Sequence, residues 1–114
     1  MKILADASLP ASLSSVPNPE GLSISRITEP LDDRALVQHA ANGGFAAVIF
    51  SAPELLSDGE LAKLAAEEGV SLVCSVTDDP IEAEMNVRRW LRQIMGRLGQ
   101  REGKIIMLRR DGPH

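Results

Sequence analysis

SDGELAKLAAEEGVSLVCSVTDDP, residues 57–80, is the stretch whose reading decides the fold. Ser57 with Glu60 three residues on has the form of a capping box, which opens a helix. Leu61, Leu64 and Ala65 then make its apolar stripe, and Gly69 ends it. VSLVCSV (70–76) is the most strand-like run in the chain, and TDDP turns it into another helix with Pro80 in the first turn. A helix, a buried strand and a second helix follow one another with almost nothing between them, as in a parallel α/β sheet.

The same alternation extends in both directions. KILAD (2–6) reads as a short buried strand and SLPASLSSV (8–16) as a short helix stopped by PNPEG. LSISRI (22–27) alternates as a strand. LDDRALVQHAANGG (31–44) has helical spacing at Ala35, Leu36, His39 and Ala40, with Asn42, Gly43 and Gly44 as its stop. FAAVIF (45–50) is the third strand. From Pro80 to Leu98 runs the longest helix, about 28 Å at 1.5 Å per residue. Ala83, Val87, Trp90, Leu91, Ile94 and Leu98 form its continuous stripe. KIIML (104–108) is the last strand. The expectation is one α/β domain over 1–108, a three-layer parallel sheet of five strands with right-handed crossovers and helices on both faces. Residues 109–114 are expected as a frayed tail.

Composition supports a single globular core: 114 residues, 44% hydrophobic and 25% charged. No apolar run approaches the roughly 18 residues of a membrane span, and the acid in MKILAD spoils a signal peptide, so a cytoplasmic protein is expected. One cysteine, Cys74, excludes an internal disulfide and a multi-cysteine zinc site. It falls mid-strand as a small buried hydrophobe. Charge is asymmetric. Residues 1–84 hold 4 Lys/Arg against 14 Asp/Glu, a net of −10, whereas residues 85–114 hold 8 against 2, a net of +6. Two accounts fit: surface charges that meet each other on folding, or an acidic cation-binding edge beside a face that meets phosphate.

Ligands of such sheets bind outside the carboxyl ends of the strands. Asp6 ends the first strand; Glu29, Asp32 and Asp33 follow the second; Glu54 and Asp58 the third; Asp78 and Asp79 the fourth. Magnesium or manganese would take such carboxylates with water and phosphate oxygens. The competing account is local: Asp32, Asp33, Asp58 and Asp79 all lie at helix starts, where acids cap and complement the dipole. Between the adjacent acids, Asp78 is the better site candidate and Asp79 the better cap. On the long helix Arg88, Arg89 and Arg92 make a basic face, suited to a nucleic-acid backbone or to solvent, with Glu84 supporting Arg88.

MKILADASLPASL resembles the opening of small bacterial PIN-like domains, typically MKxLxDENLPxxL, and DDRALVQHAANGGFAAVIF resembles their DEEIxxxAxxxGxVIVT segment. The resemblance covers about the first 55 residues. It implies a parallel α/β fold, a magnesium- or manganese-dependent ribonuclease of toxin–antitoxin type, RNA as substrate and an antitoxin as partner. By position Asp6 matches the first family acid and Asp33 the acid opening the second helix. Asp78 or Asp79 would complete the site, with Arg88 and Arg92 on the RNA. Ala7 and Ser8 replace the family's Glu-Asn, and Pro53 and Leu55 stand at the aspartates of its TxDxDF signature. A second likeness is to receiver-like domains, which also gather acids at strand ends and carry a Ser/Thr after the fourth strand, as Thr77 does. Ser51 stands where their phosphorylatable aspartate would. The alternative to a nuclease is a non-catalytic module that engages a protein partner through its rim or long helix, and a homodimer is a further partner class.

Overall fold

The structure is a computed structural model. It describes residues 2–7, 9–10, 23–29, 32–50, 59–75, 77, 79–98, 105–109 and 112–113, without the side chains of Asp33 and Arg109. All of the expected helix at 8–16 except Leu9 and Pro10, together with the Ser57 cap and Glu54, Asp58 and Asp78, falls outside the described residues.

The elements run β1 (Lys2–Ala5), β2 (Ser23–Arg26), α1 (Asp33–Asn42), β3 (Ala47–Phe50), α2 (Gly59–Glu68), β4 (Ser71–Ser75), α3 (Pro80–Leu98), β5 (Ile105–Arg109) and β6 (Gly112–Pro113). Each expected strand and helix among these appears within two residues of its expected bounds, but α3 is kinked at Trp90 (φ −110°, ψ 15°) rather than running as one continuous helix. The strands form one sheet in the order β2-β1-β3-β4-β5-β6. The first four pairings are parallel, and β5–β6 is antiparallel. The sheet therefore has six strands rather than five and is mostly, not wholly, parallel. The sixth strand lies in the stretch expected as a tail. Gly112 sits under the indole of Trp90, with the ring 3.8 Å from where a Cβ would stand.

Alternation along the strands splits the core in two. Ile3, Ala5, Ala47, Ile49, Val73, Ile106 and Leu108 cluster with the stripe of α3. Leu4, Val48, Phe50 and Leu72 cluster with Leu36, Val37 and Ala40 of α1 and Leu61 and Ala65 of α2. Successive strand residues point to opposite faces, so α3 lies on one face and α1 and α2 on the other. Each large aliphatic side chain buried this way contributes about 1.5–3 kcal/mol.

That placement overturns one expectation. The connections β2–α1–β3, β3–α2–β4 and β4–α3–β5 all step the same way across the sheet. With helices on opposite faces, these crossovers cannot all have the same hand, although right-handed crossovers are the strong rule. The physical reason is coverage. With α1 and α2 on one face, the apolar row Ile3, Ala5, Ile49 and Val73 needs a long apolar stripe over it, and α3 supplies one.

Helix ends follow local chemistry. Asp32 caps α1, its Oδ1 accepting from Ala35 N at 2.8 Å. Gly44 and Gly69, at φ +74° and +69°, take the left-handed turns that end α1 and α2.

Candidate functional site

β1 delivers Asp6 to the carboxyl edge at the place where the chain reverses direction across the sheet. The step from β1 goes to β2 on one side, and the next step crosses back to β3 on the other. This switch point is where ligands of doubly wound sheets bind. Asp6 N donates to Ile49 O at 3.0 Å, prolonging the β1–β3 pairing. Its Oδ1 accepts from Ala7 N at 2.9 Å, which folds the side chain back on its own turn. Arg26, from the end of β2, holds that turn: Nε donates to Leu9 O at 2.6 Å and Nη2 to Ala7 O at 2.7 Å. Sequence reasoning missed Arg26, whose signal was a charged residue in a strand that otherwise reads as apolar and small.

Among the described acids, Asp32 and Asp79 act as helix caps. Asp79 Oδ1 accepts from Ile81 N at 3.0 Å, and Asp79 O accepts from Ala83 N at 2.9 Å, the geometry of an N-cap for α3. Thr77 braces it: Oγ1 accepts from Asp79 N at 3.2 Å and donates to Glu82 Oε2 at 3.1 Å. Asp33 is the first residue of α1. β3 lies between β1 and β4, so Asp6 and Asp79 leave strands two apart, roughly 10 Å at a spacing near 4.8 Å. Among the described residues no group of three or more His, Cys, Asp or Glu could hold a metal ion. A hard cation needs converging oxygens; Oδ1 of Asp6 and Oδ1 of Asp79 each accept from a backbone amide of their own turn.

The basic helix face is real. Arg88, Arg89 and Arg92 are all exposed. Arg88 pairs with Glu84 as expected, Nε at 2.9 Å and Nη2 at 2.7 Å from Oε1. Two features beside it were not anticipated. Ile81 and Met85, four residues apart, are 67% and 53% exposed at the start of the same helix. Next to them is a depression of about 250 Å³ lined by Glu82, Met85, Asn86 and Arg89. Asn86 is only 4% exposed, and its one side-chain hydrogen bond among the described residues runs from Nδ2 to Ser75 Oγ at 3.3 Å. A polar residue inside the stripe Ala83–Val87–Trp90 was the readable signal for Asn86, and apolar residues off that stripe the signal for Ile81 and Met85. Trp90, by contrast, packs against the core and Gly112.

A second concavity of about 430 Å³ lies beside β2, between Ser25, Ile27 and Glu29 on one side and His39 and Phe45 on the other. Cys74 is buried mid-strand, as expected. Among the described residues no helix is long and apolar enough to cross a membrane. A scan against protein-family models finds no match, and searches of curated proteins and of solved structures find none either.

Proposed function

We propose that this chain is a non-catalytic protein-binding module on a three-layer α/β scaffold, with the outer face of α3 as its contact surface. The observation that carries the reading is the exposure of Ile81 and Met85 at i, i+4 beside Arg88, Arg89 and Arg92. Two large apolar side chains one helical turn apart, off the buried stripe, form a small exposed apolar patch, which supports reading this face as a contact surface. Aliphatic anchors ringed by arginine have the make-up of an interface centre. The strand order 2-1-3-4-5 is that of flavodoxin-type sheets, a scaffold that hosts many binding functions. A cytoplasmic location belongs to the same proposal.

The test is a displayed library of random helical peptides panned on the folded chain, each recovered peptide being retested on the Ile81→Asp/Met85→Asp double variant. Both positions are exposed, so the variant should fold. Recovered peptides should bind it at least tenfold more weakly. Peptides that bind both proteins equally would contradict the reading.

A second reading has one observation in its favour, the half-buried Asp6 at the switch point. It is a PIN-like, magnesium- or manganese-dependent ribonuclease with Asp6, Asp33, Asp78 and Asp79 as its acids, Arg88 and Arg92 on the RNA, and an antitoxin as partner. Thermal unfolding with increasing magnesium or manganese separates the two. Binding to the folded state alone raises the midpoint once metal exceeds its dissociation constant. A saturable rise lost in Asp6→Asn favours the ribonuclease, and an unchanged midpoint favours the binding module.

A further inference from the structure

Resting on the reading of α3 as a binding face, we infer that the depression on its N-terminal half receives a primary carboxamide, the side chain of a glutamine or asparagine on the partner polypeptide. Its lining residues, Glu82, Met85, Asn86 and Arg89, all precede the kink at Trp90. They fall three, four and seven residues apart from Glu82, so they share one face of a regular helical segment. Asn86 is the buried member of the four, at 4% exposure. It is joined by its amide to Ser75, the last residue of β4. The depression therefore sits where β4 ends against α3, at the carboxyl edge of the sheet, the edge at which ligands of such sheets bind.

The buried amide is incompletely used. A carboxamide offers two N–H donors and two lone pairs. Among the described residues Asn86 commits one of these, an Nδ2 hydrogen to Ser75 Oγ. Exchanging the places of Oδ1 and Nδ2 would still leave a donor and an acceptor open. A polar group that is nine-tenths buried and open in this way calls for a partner. The depression is the side from which one can arrive.

Charge decides which polar group enters. Glu82 accepts from the Thr77 hydroxyl, Arg88 pairs with Glu84, and Arg89 is engaged in an interaction of its own. A carboxylate in the depression would lie against the Glu82 carboxylate, and an ammonium would lie against the Arg89 guanidinium. A neutral group that both donates and accepts meets neither repulsion. Shape narrows the choice further. The N–H and C=O of a trans peptide group point in opposite directions, so a main-chain amide satisfies Oδ1 or Nδ2 but not both. A primary carboxamide carries both functions at one end and satisfies both. Its second N–H suits the lone pairs of Glu82 that Thr77 leaves open. Met85, 53% exposed, lines the same depression and offers its thioether to the aliphatic stem of the entering side chain.

Two other occupants fit less well. Adenine presents a matching donor and acceptor to an asparagine, but no aromatic side chain lines the depression for the base to stack on. A second copy of this chain offers the exposed Gln93 of its own α3. An antiparallel contact that sets Gln93 of one copy at Asn86 of the other brings Arg89 beside its own counterpart, like charge against like.

The experiment takes the panned peptides that lose binding to Ile81→Asp/Met85→Asp and reads their sequences. A glutamine or asparagine beside apolar residues is expected in common. In the strongest peptide, that residue is replaced by the matching acid and, separately, by an apolar side chain of the same length. Each change should weaken binding about tenfold or more in isothermal titration, since each leaves buried groups unpaired. Both changes are in the peptide, so the fold of the chain is untouched. In spectra of the nitrogen-labelled chain, the side-chain amide protons of Asn86 should shift on binding and exchange more slowly. Peptides that depend on Ile81 and Met85 but lack a carboxamide, or keep their affinity when it is replaced, would overturn the inference and leave the binding face standing. Peptides indifferent to Ile81 and Met85 would overturn both. Adenosine that shifts the Asn86 amide at lower concentration than the peptide would overturn the inference in favour of a nucleobase. Self-association of the chain that is lost in Gln93→Glu would overturn it in favour of a second copy.

Discussion

The buried pair Ser75–Asn86 makes a quantitative prediction. Ser75 closes β4 with 0% exposure, and Asn86 lies beneath the α3 depression at 4%. Their bond of 3.3 Å is long for an N–H···O contact, so its net coupling should be modest, about 0.5–1 kcal/mol. The single substitutions should be unequal. Asn86→Ala strands a hydroxyl that water cannot reach and opens a small void, so it should cost about 2–3 kcal/mol. Ser75→Ala strands an amide that borders a solvent-open depression, where water can replace the lost partner, so it should cost nearer to about 1 kcal/mol. For a domain of this size about 1 kcal/mol corresponds to about 4 °C in Tm. The assay is urea unfolding of the wild type, both single variants and the double variant, read as a double-mutant cycle. The double variant should lose less than the sum of the single losses by the coupling energy. Strict additivity, or a costlier Ser75→Ala, would refute the assignment of these two groups as partners with different access to water.

Other expectations follow from single residues. Gly96 lies in α3, exposed, with nothing within 4 Å of the place an added methyl would occupy, so Gly96→Ala should stabilise by about 0.5–1 kcal/mol in chemical unfolding. Asp79→Ala removes the α3 cap and should cost about 1 kcal/mol, whereas Asp79→Asn, which caps equally well, should stay within a few tenths. Equal losses in both would show that the charge of Asp79, not its cap, is what matters. Arg26→Ala should loosen the turn after β1, raising amide exchange at Ala7 and Leu9 with little change in β4.

Much of this architecture was readable because its causes are local. A short apolar run located β4 and a 3.6-residue period located the bounds of α3 almost to the residue, and the caps at Asp32 and Asp79 depend on side chains reaching amides two or three residues away. Pairings that depend on distant chain were not readable. Gly112–Pro113 has no pattern of its own and is a strand only because β5 and Trp90 receive it. The face that α3 covers could not be chosen from its stripe either, since both faces of the sheet are apolar, and handedness argued for the wrong one. The candidate site divides in the same way. Acids at strand ends were legible one by one, but whether they converge is set by strand order, and β3 separates Asp6 from Asp79. Ile81 and Met85 were visible as apolar residues off the stripe, a signal that a reading centred on carboxylates passes over.

The measurement that tests the binding surface most directly is amide chemical-shift mapping of the whole chain, titrated with the tightest peptide from panning. The account predicts shifts concentrated on Ile81, Met85, Arg89 and Arg92 and the turn between Thr77 and Asp79, saturating at one peptide per chain. Shifts centred instead on Asp6 and the ends of β1 and β3, or on the concavity beside β2, would contradict it.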